Sequence, residues 1–202
     1  MSRTIAIAAL ALITVTALAG CGDDAPTADP TASASASGPN GTESSESSAP
    51  DVPANWQVAS VEVAQLQVPP TWRLSSSGDL SLTARAPEDA IGISPGAATF
   101  QGGVHSGNGD DEAAVDALAT LEEKTLANDV QDLKRLPNET INGSIFYHFQ
   151  GDNGREWEDH YGTVVPAGEH RVAVTWRFTK ADIDRKGAEA LIGQIMPTYQ
   201  VL

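Results

Sequence analysis

From Trp56 onward, apolar and polar residues follow patterns that are typical of β-strands and amphipathic helices. Along residues 56–68 the apolar residues alternate with polar ones, with one slip in phase that predicts a turn or bulge between two strands. Pro69 and Pro70 end this run, because proline cannot donate a ladder hydrogen bond. Similar patterns predict further strands from Trp72 onward and at residues 80–85, 97–105, 141–150, 155–165 and 170–179.

The segment HRVAVTWRFT, residues 170–179, has a clear two-residue period. Its large apolar residues occupy alternate positions, with arginines and small residues between them. One face of this strand should therefore lie in the core, and that face is formed by Val172, Val174, Trp176 and Phe178. Earlier in the chain, GDNG at residues 151–154 predicts the turn of a hairpin.

Two segments have a helical period instead. Residues 109–128 predict a helix with acids in its first turn, where they favour the helix dipole. Its predicted buried face is formed by Ala114, Leu118, Leu121 and Thr125. Thr179 and Asp182 form a T-x-x-D capping box, which predicts a second helix that ends before Pro197. Its predicted buried residues are Ile183, Gly187, Leu191 and Ile195.

The order of these elements indicates the fold class. Strands are grouped into meanders and do not alternate singly with helices, so we expect an antiparallel sheet rather than a parallel one. Residues 54–202 are therefore predicted to form a single α+β domain, an antiparallel β-sheet with helices packed on it. About 150 residues suffice for one such core.

The first 53 residues have a different composition. Residues 1–20 contain Arg3 as their only charge, followed by an apolar stretch too short to span a bilayer comfortably, which is typical of an export signal. Residues 21–53 consist almost entirely of Ala, Ser, Thr, Pro, Gly, Asp and Glu. Such a segment cannot offset the entropy of ordering, so we expect a disordered tether that reaches about 30 Å in root-mean-square length.

The only cysteine, Cys21, lies where the apolar stretch ends. The sequence Leu18-Ala19-Gly20-Cys21 resembles the lipobox of bacterial lipoproteins, in which the signal is cut before the cysteine and the cysteine carries diacylglycerol. The resemblance implies cleavage between Gly20 and Cys21 and acylation of Cys21, palmitate included. Two or more acyl chains hold a protein on a membrane, where one would not. We therefore expect a lipid-anchored protein on the extracytoplasmic face of the cell membrane, with the bilayer as one partner.

Charge excludes one class of partner. The chain has 12 basic and 27 acidic residues and a formal net charge of −15. From residue 51 onward, the chain has 22 acidic and 11 basic residues. Nucleic acid requires a basic stripe, so we expect no nucleic-acid partner.

Two short motifs resemble functional sites, but a structural role explains each of them better. GISPG, residues 92–96, matches the G-x-S-x-G nucleophile elbow, but Pro95 lacks the backbone N–H that the oxyanion hole would use. We interpret it as a turn. GNGDDE, residues 107–112, could hold calcium, but its spacing lacks the distant glutamate of an EF-hand, and helix capping is the preferred interpretation.

One acidic cluster remains as a candidate site, formed by Glu156, Glu158, Asp159 and His160 in REWEDHY. The two-residue period places Glu156, Glu158 and His160 on one face of a strand. Trp157 and Tyr161 are the expected core contacts of the other face. We therefore predict that the acidic trio is an exposed strand face, and we predict no catalytic residue, no metal site and no cofactor.

The order and pattern of residues 54–202 resemble the PsbP-like α/β/α sandwich superfamily, particularly actinobacterial lipoproteins of the LpqN type. The resemblance is carried by VPPTW (residues 68–72), LKRLPNETINGSIFYHFQG (133–151), REWEDHYGTVV (155–165) and HRVAVTWRF (170–178). It implies a binding or accessory module, and it carries over no functional residues.

The sequence therefore predicts a membrane-anchored, non-enzymatic binding or adaptor module for an unidentified envelope protein or ligand. Two alternatives stay open. One is a cell-envelope hydrolase that uses acids such as Glu156, Glu158 or Asp159, and the other is a carrier of an apolar ligand.

Overall fold

The computed structural model of the chain describes residues 53–88, 94–107, 109–166 and 169–202. The predicted signal and tether, with Gly20 and Cys21, lie outside the described residues. The described strands are β1 (Gln57–Val61), β2 (Ala64–Val68), β3 (Arg73–Ser76), β4 (Ser81–Arg85), β5 (Gly96–Val104), β6 (Gln131–Ile141), β7 (Ser144–Asp152), β8 (Glu156–Val164), β9 (His170–Thr179) and β10 (Gln200–Val201). The helices are α1 (Glu112–Leu126) and α2 (Arg185–Ile195), and α2 continues into a 3-10 turn at Met196–Thr198.

The strands form two antiparallel sheets. The large sheet has seven strands in the order β3-β4-β5-β9-β8-β7-β6, so β9 is its central strand. The small sheet has the order β1-β2-β10. Every described strand pair is antiparallel. The chain therefore has the expected α+β fold, with antiparallel sheets and two helices.

The two faces of the large sheet are covered differently. One face packs against the small sheet and α2, and its buried residues include Phe100, Val174, Trp176 and Phe178 together with Ile192 of α2. The other face is covered by α1, which packs on strands β7 and β8. That second, smaller core includes Val115, Leu118, Tyr147, Phe149 and Val164. The large sheet is thus a middle layer that α1 covers at one end only.

Most of the expected strands are confirmed. The phase slip in residues 56–68 is a two-residue turn between β1 and β2. GDNG contains the last two residues of β7 and the first two residues of the turn to β8. The predicted core face of β9 is also confirmed, since each of its four residues is at most 2 % exposed.

The segment from residue 131 to residue 152 was only partly predicted. Residues 141–150 were expected to form one strand, but they contain the end of β6, a turn and most of β7. Asn142 and Gly143 have φ values of 47° and 82°, as a tight type I′ hairpin turn requires. The Asn142 Nδ2 group also donates hydrogen bonds to the carbonyls of Pro197 (2.7 Å) and Tyr199 (2.8 Å). This turn therefore ties the hairpin to the C-terminal segment.

The predicted buried face of α1 is wrong in half of its residues. Ala114 and Leu118 are buried, whereas Leu121 is 61 % exposed and Thr125 is exposed. The buried stripe instead runs through Ala114, Val115, Leu118, Ala119 and Leu126. The buried face is therefore rotated relative to the predicted one, with Val115 and Ala119 packed in the core under the helix in place of Leu121 and Thr125.

The start of α2 also differs from the prediction. Asp184 is the N-cap, and its side chain accepts a hydrogen bond from the Gly187 N–H at 2.7 Å. Thr179 is the last residue of β9 instead, so the proposed capping box does not form. Ile195 is buried as expected, whereas Ile183, Gly187 and Leu191 are only half-buried. The residues buried on α2 are Ala188, Ile192 and Ile195.

Gly162 in β8 gives a test of the packing under α1. A Cβ atom at this position would overlap the ring of Tyr147. We expect Gly162→Ala to lower the free energy of unfolding by about 1–3 kcal/mol, as overpacking does. Gly193→Ala on the exposed side of α2 is the matched control, because a Cβ there meets nothing within 4 Å. That control should gain about 0.5–1 kcal/mol from helix propensity. Urea titrations of both variants measure the difference, and equal stabilities would contradict this packing.

Candidate functional site

The large sheet has a polar area on its α1 side that no described element covers, and we call this area the open face. It consists of the residues of β3, β4, β5 and β9 that point away from α2. Each of these residues is exposed or half-buried: Arg73, Ser75, Ser81, Thr83, Arg85, Ala97, Thr99, Gln101, Gly103, Arg171, Ala173, Thr175 and Arg177. Antiparallel sheets can face water on one side. This face is distinguished by the arrangement of its side chains, because similar side chains lie in rows across the strands.

Strand register places like side chains in rows across the open face. Residues directly opposite one another on paired antiparallel strands share a face. Thr83, Thr99 and Thr175 pair in this way, and Ser75 and His160 extend the row on either side. A second row contains Arg73, Arg85, Ala97, Arg177 and Glu158. The sheet therefore carries a row of hydroxyl groups beside a row of arginines.

A shallow cleft of about 250 Å³ lies where the two rows meet. Ala97 forms part of its floor, and Arg85 and Arg177 stand on either side because each lies one strand away from Ala97. Thr83, Thr99, Ser94 and Glu156 complete most of the lining. The small side chain of Ala97 thus leaves space between two guanidinium groups.

Beside this cleft, β8 and β9 hold a connected set of polar side chains, which we call the Glu158 cluster. Glu158 is 3 % exposed and His160 is 5 % exposed. The His160 Nε2 atom lies 3.0 Å from Glu158 Oε2, and the Thr175 Oγ1 atom lies 3.3 Å from His160 Nδ1. The Asn153 amide donates to both Glu156 and Glu158 at 2.8 Å. Arg177 completes the cluster, with its Nε atom 3.4 Å from Glu158 Oε1.

These contacts determine the ionisation of Glu158. Burial by itself would raise the pKa of this carboxyl group. The hydrogen bond with His160, the charge of Arg177 and the Asn153 amide outweigh that effect and lower the pKa below its ordinary value of 4.5. Glu158 is therefore held as a carboxylate.

Asp159 belongs to a different cluster on the opposite face of the sheet. It is 1 % exposed, and its Oδ1 atom lies 2.8 Å from both His148 Nε2 and Arg185 Nη2. The Nδ1 atom of His148 lies 3.0 Å from Glu139 Oε1, and the imidazole stacks on Tyr161 with 3.9 Å between ring centroids. This cluster links β6, β7 and β8 to the first turn of α2.

The structure therefore divides the predicted acidic cluster. Glu156, Glu158 and His160 share one face as expected, but the expectation that this face is exposed is wrong for Glu158 and His160. Their polar groups are satisfied by Asn153, Thr175 and Arg177, so they can lie in the protein interior. Trp157 and Tyr161 contact the main core as predicted. Among residues 53–88, 94–107, 109–166 and 169–202, no three His, Cys, Asp or Glu side chains come together in a way that could hold a metal ion.

Sequence reasoning missed the residues that complete both clusters and the arginine row. Arg177 and Thr175 were assigned only as the polar side of β9, and Arg85 only as the polar side of β4. Arg73 was not considered. The two-residue period of β9 already separated Arg177 from the core. Which strands lie beside it, and in which register, was not visible in the local pattern.

In the part of the chain that the structure describes, neither helix has the length and apolar character needed to cross a membrane.

The dependence of the free energy of unfolding on pH, in the acidic range, tests the ionisation of Glu158. Because its folded pKa is lowered, the unfolded state binds more protons in this range, and stability rises with pH. The contribution is complete above the ordinary value of 4.5 and is lost as the pH falls through the folded pKa. We expect Glu158→Gln to lose about 2 kcal/mol at pH 7 and to have a flatter profile below pH 5.

The exposed Glu62→Gln provides the control and should keep the wild-type profile. Chemical denaturation at a series of pH values measures all three proteins. A wild-type profile for Glu158→Gln would show that the buried contacts do not hold the carboxylate.

Comparison with known proteins shows the fold but no family. No protein-family model matches this chain, and the curated proteins give no match. The solution structure of cyanobacterial PsbP (CyanoP) from Synechocystis sp. PCC 6803 is similar, with a TM-score of 0.52 and 11 % identity over 74 % of this chain and 94 % of that one. A Mog1 mutant has a TM-score of 0.48 and 10 % identity over 73 % and 96 % of the two chains. The Ran-binding protein Mog1p of Saccharomyces cerevisiae has a TM-score of 0.46 and 10 % identity over 73 % and 95 %. The described domain therefore has a PsbP-like fold.

Proposed function

We propose that this chain is a membrane-anchored, extracytoplasmic module that binds a partner or ligand without transforming it. In this proposal the chain has three parts with separate roles: an anchor at Cys21, a tether, and a folded domain that carries the binding surface. The open face of the large sheet is the surface we assign to binding.

The observation that carries the proposal is the construction of the open face. Its rows of hydroxyl and guanidinium groups lie on paired strands, where the hydrogen-bond ladders fix their spacing. Groups on a rigid scaffold lose little entropy when they bind, so such a surface suits recognition. The opposite face of the same strands is buried against the small sheet and α2, which supports the surface from behind.

The anchor is supported by the sequence alone. The lipobox-like Leu18-Ala19-Gly20-Cys21 follows an apolar stretch, and about thirty polar and small residues separate it from the described domain. A tether of this length would let the domain reach partners about 30 Å from the bilayer. This supports a lipoprotein of the bacterial envelope, of the kind that the actinobacterial resemblance implies.

Partner capture in the native envelope tests the binding role. A photo-crosslinking residue at Gln101, an exposed residue of the open face, should yield a discrete crosslinked product. The same residue at Lys186 on α2, exposed on the opposite side, is the matched control and should yield less of it. Mass spectrometry identifies the product. Equal yields at the two positions would show that the open face is not the binding surface.

Metabolic labelling tests the anchor separately. We expect radiolabelled palmitate to enter the wild-type chain and to be absent from Cys21→Ala, because the thiol would carry the acyl group. The variant should also leave the membrane fraction, since an unacylated chain lacks the hydrophobic burial that holds it there. Equal labelling in both would refute the lipoprotein assignment.

One observation favours a second function, that of a hydrolase. Thr175, His160 and Glu158 form a hydroxyl–imidazole–carboxylate chain, the order found in nucleophilic triads. Thr175 also borders a cleft of about 340 Å³ beside α1. However, β9 is paired on both sides at this position, so the ladder occupies the backbone N–H groups that an oxyanion hole would need. We therefore rank this function below binding.

The matched variants Thr175→Val and Thr99→Val separate the two functions. The two threonines lie opposite each other in register, but the described contact with His160 belongs to Thr175. If the protein binds without chemistry, neither variant changes the hydrolysis of generic ester, glycoside or peptide substrates, which stays at the heat-denatured level. Turnover that Thr175→Val abolishes and Thr99→Val keeps would establish the hydrolase.

The third expectation, a carrier of apolar ligands, receives no support from the described clefts. The clefts of about 250 and 340 Å³ both have charged residues in their lining. A further described cleft of about 290 Å³ is lined by Asp132, Lys134 and Arg185, among others.

A further inference from the structure

The arginine row of the open face contains two like charges that lie directly opposite each other on paired strands. Arg73 of β3 and Arg85 of β4 are direct cross-strand partners. Like charges in this arrangement destabilise a sheet, because their Cβ atoms lie about 5 Å apart on one face. Both residues are exposed. A counter-charge from the protein or from a ligand would relieve this repulsion.

The described protein does not supply that counter-charge. Among the described residues, no carboxylate lies within ion-pair distance of Arg73 or Arg85. Arg177, further along the row, is already paired with Glu158. Within the arginine row, Arg73 and Arg85 are therefore the two arginines that have no ion pair among the described residues.

The surroundings of Arg85 are suited to an oxygen-bearing anion. Arg85, Thr83 and Thr99 line the 250 Å³ cleft, and Arg177 stands on its far side. Guanidinium groups hold carboxylates in a bidentate manner, and threonine hydroxyls can donate a further hydrogen bond. Ala97 between Arg85 and Arg177 leaves room for the anion to approach.

We propose that Arg73 and Arg85, with the Thr83 and Thr99 hydroxyls, form a binding site for a carboxylate-bearing ligand. Carboxylates are favoured over phosphates by the charge around the cleft. Glu156 lines it, Glu158 lies in the same row, and the chain from residue 51 onward is strongly acidic. Each carboxylate carries one charge, and two carboxylates on one ligand are separated by its carbon chain, whereas a dianionic phosphate concentrates its charge at one point beside these acids and meets more repulsion there. The proposal rests on the proposed binding function and names the ligand chemistry of the open face.

Two carboxylates about 5 Å apart would match the Arg73–Arg85 pair. Glutarate has this spacing and serves as the probe, and its neutral diamide is the isosteric control. The experiment uses the full chain in a non-ionic detergent at constant ionic strength, adjusted with sodium chloride. Calorimetric titration measures binding, and thermal unfolding measures the stabilisation that binding produces.

We expect saturable glutarate binding, a rise in melting temperature with glutarate concentration, and no response to the diamide. Arg85→Gln should weaken binding at least tenfold. Without ligand, Arg85→Gln should melt at or above the wild-type temperature, because the variant relieves the repulsion from Arg73. This second readout separates a lost site from a lost fold.

Arg171→Gln is the matched control. It removes the same charge from the open face, but Arg171 lies on β9 six residues from Arg177, about 20 Å along the strand. It should bind glutarate as the wild type does. An equal loss in Arg85→Gln and Arg171→Gln would reduce the effect to general charge attraction and overturn the site.

Two further outcomes would also overturn the proposal. Inorganic phosphate that binds as tightly as glutarate would refute the preference for carboxylates, and no binding of either anion would refute the site. Neither result affects the crosslinking test of the open face at Gln101, which lies outside the proposed carboxylate site. Failure of the carboxylate site and failure of the binding function are therefore distinguishable.

Discussion

The alternation of side chains along β9, the central strand of the large sheet, is the constraint on which the rest of the structure depends. Val174, Trp176 and Phe178 point to one side and are buried against the small sheet and α2. Thr175 and Arg177 consequently point to the other. A shift of the strand by one residue would exchange these faces and place arginine in the core. The hydrophobic burial of one face therefore fixes the position of the polar groups on the other.

Because α1 covers only part of the second face, that face has one buried region and one exposed region. Over β7 and β8 the helix buries Tyr147 and Phe149, and the adjacent polar groups must find partners within the protein. Glu158 and His160 do so with Asn153, Thr175 and Arg177. Over β3, β4, β5 and most of β9 no such cover exists among the described residues, and the side chains meet solvent. One sheet face thus contains both a buried polar cluster and an exposed polar surface.

The two histidine clusters show how the sheet separates neighbours in sequence. Asp159 and His160 are adjacent, yet Asp159 contacts His148 and Arg185 on the α2 side, while His160 contacts Glu158 and Thr175 on the α1 side. Successive acidic residues of one strand therefore belong to two separate clusters, one on each face of the sheet. This is why REWEDHY could not act as one site, although it looked like a single cluster in the sequence.

The sequence by itself determined the α+β class, most of the strands, the core face of β9 and the existence of both helices. These features depend on local periodicity and on turn residues such as those in GDNG, which a linear pattern records. It also supplied the expectation of an anchor at Cys21, since that signal is a linear motif.

The tertiary structure decided which residues meet. The burial of Glu158 and His160, the exposure of Leu121 and the pairing of Arg73 with Arg85 all depend on which element lies beside which. Strand order and register are set by the packing of the whole core, and a local pattern cannot contain them.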